Sequence, residues 1–237
     1  MPLIAASGST AYWYLTRATG AVALLLLTLV VALGVLDVSR LATPRWPRFV
    51  IDGLHRSASL LAVLFLALHI LTSVLDSYAP IGLLDAVIPF NSAYRPLWLG
   101  LGAVAFDLIL AVVITSLVRP RLGYGAWRAV HWLAYACWPI AVLHGLGTGS
   151  DVKHTWLLLL TATCIAATAT AVVTRLAWAK QLPVGRRLAA SATPLLFVIA
   201  LAVWLPLGPL GPDWARRSGT PVTLLGGAGS STHPSTR

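Results

Sequence analysis

Apolar residues run along this chain in long unbroken blocks, separated by short clusters of arginine, proline and glycine. Six blocks reach the length a membrane-spanning helix needs, about 20 residues. They are Ala18–Leu36, Gly53–Leu75, Pro96–Val118, Ala126–Gly147, Thr155–Leu176 and Leu188–Leu207. Continuous apolarity favours helices, because a membrane barrel reads as short alternating strands. The first block is too long for a cleaved signal peptide, and no small-residue cleavage site leads into a soluble domain. From Gly208 the chain turns rich in Gly, Ser, Thr and Pro and ends GGAGSSTHPSTR. Such a segment lacks the apolar content to fold alone. The expected organisation is a six-helix domain over residues 1–207 followed by a disordered extracytoplasmic tail over 208–237.

Composition agrees with the pattern. Of 237 residues, 58% are hydrophobic and 10% charged, against about 25% charged in soluble domains. The net charge of +10 does not point to nucleic acid, because the basic residues form no single patch. They cluster in alternate loops: Arg40, Arg45 and Arg48, then Arg119, Arg121 and Arg128, then Arg175, Lys180, Arg186 and Arg187. That asymmetry is the positive-inside signal. It places the first, third and fifth loops in the cytoplasm and both termini outside. Ala/Leu/Arg-rich usage suggests a bacterial plasma membrane. Cys137 and Cys164 both fall mid-span and read as small packing residues. No Cys-x-x-Cys motif supports zinc or covalently attached haem.

The candidate chemistry lies in four histidines. His55 and His69 are fourteen residues apart in the second block, and His131 and His144 thirteen apart in the fourth. Fourteen residues of α-helix rise about 21 Å and turn about 320°, so His55 and His69 share one face at different depths. Both blocks leave basic loops and run outward, which pairs His55 with His131 and His69 with His144 by depth. Polar rings inside a span are costly and usually face a bundle interior. Four such ligands suffice for two bis-histidine haems stacked across the bilayer. Zinc is excluded, because pairs about 20 Å apart cannot share one ion. One feature of the spacing resists. Thirteen residues leave His144 about 140° from His131 on an ideal helix. Pro139 between them removes a backbone hydrogen bond and is the expected site of a kink that re-aims His144.

Other polar residues follow from position. Arg17, at the outer edge of the first helix, is expected to snorkel to the headgroups or to face a haem propionate or an acceptor site. Arg56 and Arg128 flank the inner pair and suit anionic propionates or surface anchoring. Asp107, alone in the third block, is expected to accept a hydrogen bond from a neighbouring helix or to relay protons. His154 reads as interfacial, and His233 has no assigned role. The connection Asp76–Arg95 is long enough to form a segment capping the outer face.

The YLTRATG opening, the His-x13-His block, the RPRLGYGAWRAVH turn and the His-x12-His block together resemble the ferric reductase-like transmembrane domain. That family includes ferric-chelate reductases, NADPH oxidases and the haem-binding membrane subunit of the periplasmic methionine sulfoxide reductase system. The resemblance covers about Tyr12–Trp178, leaving the sixth block as an addition. It implies two b-type haems between the second and fourth helices, carrying single electrons across the membrane. His55 and His131 would hold the inner haem and His69 and His144 the outer one. Arg17 resembles the family arginine near the outer haem.

Family reductases follow the fifth span with a flavin and NAD(P)H domain. Here a sixth block follows, and no Gly-rich dinucleotide fingerprint is found. The resemblance therefore implies that flavin and NAD(P)H act through a separate partner protein. Candidate acceptors are a ferric chelate, quinone, oxygen or a flavoprotein beyond the outer face. The sulfoxide-reductase subunit tends to lack the histidine matching His55, so the full set here is closer to the two-haem reductases. The alternatives are a single-haem subunit feeding an outer reductase and a haem-free structural or assembly membrane protein.

Overall fold

A computed structural model describes residues 11–38, 48–149, 151–178 and 183–225. All regular structure among them is α-helical. Helices α1 (Ala11–Val38) and α2 (Arg48–Leu75) run 28 residues each. A single short helix, α3 (Leu83–Val87), lies in the connection to α4 (Pro96–Leu117). The short α5 (Arg119–Leu122) and α6 (Tyr124–His131) lead into α7 (Leu133–Thr148). Then come α8 (Thr155–Trp178), α9 (Val184–Leu207), α10 (Trp214–Arg217) and α11 (Val222–Leu225).

Five segments are long and apolar enough to cross a membrane: Ala11–Val35, Phe49–Leu75, Pro96–Leu117, Tyr124–Thr148 and Thr155–Ala177. The chain is an all-α, multi-pass membrane protein. Helix α9 coincides with the sixth apolar block, but its described apolar stretch, Ser191–Leu207, is shorter. Arg40, Arg45 and Lys180 of the basic clusters lie outside the described residues. The boundaries follow local chemistry. Pro96 opens α4, where its missing N–H is harmless. Gly123, at φ 76°, makes the left-handed turn between α5 and α6 that other residues resist.

The bundle is built from two helix pairs, α1 along α2 and α4 along α7, with α8 against α1 and α9 against α8. Gly20 faces His69 and Gly34 faces His55, so α1 and α2 are antiparallel. Val31, Val35, Trp138, Val142, Leu146 and Cys164 form much of the buried core. Inside it the Trp138 indole N–H donates to Thr28 Oγ1 at 2.9 Å. Cys164 thus packs as expected, and Cys137 is fully buried on the α4 side, its thiol donating to Ala105 O at 3.4 Å. On α2, Leu60, Leu64, Leu68, Leu71 and Leu75 form an exposed stripe at helical spacing, the side a bilayer solvates.

The expectation of a disordered tail over 208–237 is corrected for residues 208–225, which fold back onto the bundle; residues 226–237 lie outside the described residues. The reason is a set of contacts that composition does not reveal. Trp214 packs against Trp98 and Trp204 with ring centres 5.2 and 5.9 Å away. Its indole N–H donates to Gly147 O at 3.1 Å. Buried Arg95 completes the attachment. Its N–H donates to Gly219 O and its Nε to Thr220 Oγ1, each at 3.0 Å. Its Nη1 donates to the carbonyls of Gly147 and Thr148 at 3.1 and 3.0 Å.

Those two carbonyls end α7 and have no acceptors' work within the helix, so a cation there satisfies them and the helix dipole together. Hydrogen bonds from a charged donor are worth about 1.5–3 kcal/mol. Arg95→Ala is therefore expected to lower the melting temperature in detergent by roughly 5 °C. An unchanged melt would mean that residues 208–225 add nothing to stability.

Candidate functional site

His69 on α2 and His144 on α7 face each other across the bundle. Their ring centres are 6.3 Å apart and their planes cross at 78°. His69 Nδ1 lies 2.9 Å from Thr16 O on α1, and His144 Nδ1 lies 2.9 Å from Trp98 O on α4. A carbonyl only accepts, so each Nδ1 carries the proton and each Nε2 keeps its lone pair. Orientation of the free nitrogen by a hydrogen bond at the other is the usual support for a metal-binding imidazole. The Thr148 hydroxyl, which donates to His144 O, also comes within 3.2 Å of His144 Nδ1.

The separation carries chemical information. A metal–imidazole nitrogen bond is about 2.0 Å, and the ring centre lies about 1.2 Å behind that nitrogen, so two rings in line on one metal have centres roughly 6.4 Å apart. The observed spacing fits a single metal between the rings. No group of three His, Cys, Asp or Glu side chains converges among the described residues. Two axial nitrogens with no further protein ligand match haem, which supplies its own equatorial nitrogens. The rings border a cavity of about 300 Å³ between the two helix pairs, walled by Leu24, Leu66, Phe106 and Ile109.

Between His131 and His144 the helix is broken once. Helix α6 ends at His131, Trp132 links it to α7, and α7 restarts at Leu133. The Tyr135 N–H donates to Trp132 O, three residues back, at 3.1 Å, a tighter turn than the α-helix. Pro139, the expected site of a kink, sits inside α7, seven residues after the break at Trp132. Pro139 has no N–H for the Tyr135 carbonyl, which places its effect on the same turn.

His55 and His131 lie away from the His69–His144 pair, toward the Arg-rich end. His55 lies within electrostatic range of His131, and the Nδ1 atoms of both are buried with no hydrogen-bond partner among the described residues. His131 stacks on Trp127, with centres 4.9 Å apart at 29°. The Trp127 N–H reaches Ser116 Oγ at 3.2 Å, and Arg119 lies 4.3 Å from the Trp127 ring centre. Arg56 and Arg128 are exposed at this basic end.

Arg17 lines the His69–His144 cavity. Its Nε pairs with Asp151 Oδ2, and its guanidinium sits 3.1 Å from the Trp13 ring centre. Asp76, Tyr78, Ala79 and Tyr94 of the connection Asp76–Arg95 also line the cavity. Burial pushes the Tyr94 phenol above its ordinary pKa, so it stays a neutral donor. His154 is exposed, 4.0 Å from Asp151, and is not among the residues lining the cavity. Asp107 shares a partly exposed face of α4 with Leu110 and Ile114.

Sequence reasoning missed Thr16 and Trp98, whose contribution is a carbonyl and so leaves no mark in side-chain chemistry. It also missed Asp151 and Trp127. One readable signal was available: Gly20 and Gly34 on α1 repeat the fourteen-residue spacing of His69 and His55.

A model of the family described as ferric reductase like transmembrane component matches residues 19–142, more than half of the chain. The match includes His55, His69 and His131; Arg17 and His144 each fall two residues outside it. No curated protein and no solved structure matches. The all-helical fold, the apolar spans and the family match agree, and the chain belongs to the ferric reductase like transmembrane component family.

Proposed function

We propose that this chain is the membrane subunit of a ferric reductase-like oxidoreductase, passing electrons across the bilayer through two bis-histidine b-type haems. The observation that carries the reading is the His69–His144 pair, spaced for one metal, with both Nδ1 atoms tied to carbonyls. Haem iron held between two imidazoles exchanges single electrons. The protein ligates, orients and buries it. His69 and His144 present Nε2 from opposite sides, the carbonyls of Thr16 and Trp98 hold the rings, and Leu24, Leu66, Phe106 and Ile109 wall the space beside them. His55 and His131 serve a second haem near the basic end, where Arg56 and Arg128 neutralise propionates. Trp127 braces His131.

In this reading α9 is a sixth span, the Arg-rich end is cytoplasmic, and both termini face outward. The membrane is the bacterial plasma membrane. A separate flavin-containing protein supplies electrons taken from NAD(P)H. The acceptor at the outer face is a ferric chelate, quinone, oxygen or another flavoprotein, with Arg17 beside the exit. A single-haem subunit is the second reading, favoured by the unpartnered Nδ1 atoms of His55 and His131.

The test is a reduced-minus-oxidised spectrum of the purified protein with haem counted per chain. Two low-spin b haems support the relay, and one supports the second reading. None, in a folded preparation supplied with haem, refutes both.

A further inference from the structure

The two carbonyls that hold the ligand rings share a local arrangement. In an α-helix the carbonyl of residue i already accepts from the N–H of residue i+4. A histidine that adds a second bond to the same oxygen must approach past the side chain at i+4. Four residues after Thr16 stands Gly20, and four after Trp98 stands Gly102. These are different helices, α1 and α4, serving different histidines.

The space is used. A Cβ on Gly20 would lie 2.9 Å from His69 Cε1 and 3.0 Å from its Nδ1. On Gly102 it would lie 2.5 Å from His144 Cε1, 2.6 Å from Nδ1 and 3.0 Å from Nε2. Carbon atoms pack at about 3.5–4.0 Å, so either ring would be displaced. Gly34 supplies an internal contrast. It faces His55, yet its Cβ would stand 3.5 Å from Cε1 and 3.9 Å from Nδ1, ordinary contact distances. His55 Nδ1 has no hydrogen-bond partner among the described residues.

We infer that Gly20 and Gly102 are positioning residues for the His69–His144 pair, each opening the carbonyl four residues before it to a ligand ring. Without them the Nδ1 bonds fail and each Nε2 is re-aimed. Gly34 has no such role at His55. The inference rests on the proposed function only in naming haem as what the pair holds. The hydrogen bonds and ring positions stand apart from that.

The experiment compares Gly20→Ala, Gly102→Ala and Gly34→Ala in the full-length protein, with two readouts. Imidazole nitrogen NMR of histidine-labelled, haem-free protein reports whether each Nδ1 carries a bonded proton. Gly20→Ala is expected to change the His69 signal and Gly102→Ala the His144 signal, with Gly34→Ala silent. In haem-supplied protein, the first two variants are expected to hold one haem on the order of 10-fold more weakly, the usual effect of losing support behind a ligand. Gly34→Ala keeps both haems.

Wild-type signals in both Gly20→Ala and Gly102→Ala overturn the inference, as does an equal disturbance in Gly34→Ala. A wild-type protein without haem, whose histidine signals still respond to Gly20→Ala, would sink the ligand reading and leave this one standing. Should Gly102→Ala not accumulate, Gly20→Ala decides alone, because its Cβ comes no nearer than 2.9 Å to the ring, against 2.5 Å at Gly102.

Discussion

Replacing His69 or His144 with alanine is expected to remove one haem from the purified protein, the same haem in both cases, and leave the other. Each ring supplies one axial nitrogen to a shared iron in the proposed arrangement, and the 6.3 Å spacing leaves no third protein ligand to take over. A haem with one axial ligand turns high-spin and is readily lost, so the effect is a halving of haem content rather than a spectral adjustment. His55→Ala and His131→Ala are expected to remove the other haem. Haem per chain, with low-spin ferric EPR to separate the two sites, measures all four variants. Loss of one common haem in His55→Ala and His144→Ala would overturn the pairing. If His69→Ala abolishes all haem while His55→Ala changes nothing, the single-haem reading takes its place.

Asp151→Asn is expected to raise the midpoint potential of the His69–His144 haem while leaving the His55–His131 haem in place. Arg17 and Asp151 form a mostly buried ion pair at the edge of the cavity. Neutralising the carboxylate makes this edge of the cavity one charge more positive, with Asp76 the other acid acting on the guanidinium. A nearby positive charge favours the reduced, less positive iron. An interaction on the order of 1 kcal/mol across a partly solvated site corresponds to roughly 40 mV for one electron. Arg17→Gln is expected to move the same potential the other way. Potentiometric titration followed in the visible bands gives the answer. Equal shifts of both haems, or none, would mean that the pair acts only as a structural clasp.

Much of the fold was readable before any coordinates. Continuous apolar blocks specify helices in a bilayer because each must satisfy its own backbone, and five of the six expected blocks coincide with spans of membrane length. The histidine spacing on α2 located one face of the site, since helical periodicity is a property of the local chain alone. The limits of such reasoning show at two places. On a straight helix His144 is out of phase with His131, yet in the structure it meets His69. The Gly- and Pro-rich segment after Gly208 resembled a disordered tail, yet Trp214 and Thr220 find Trp98 and Arg95, more than a hundred residues earlier.

Local pattern, then, decided what this protein is made of: apolar helices, a charge asymmetry between their ends, and four histidines at two depths. These depend on residue types and short spacings, which the sequence states directly. Tertiary structure alone decided which backbone carbonyls hold the histidines, and that Asp151 answers Arg17 while Arg95 anchors the chain's last described turns. Those outcomes depend on how α1 and α4 pass the ligand helices, and a backbone carbonyl has the same chemistry in every residue. Only its position makes it part of a site.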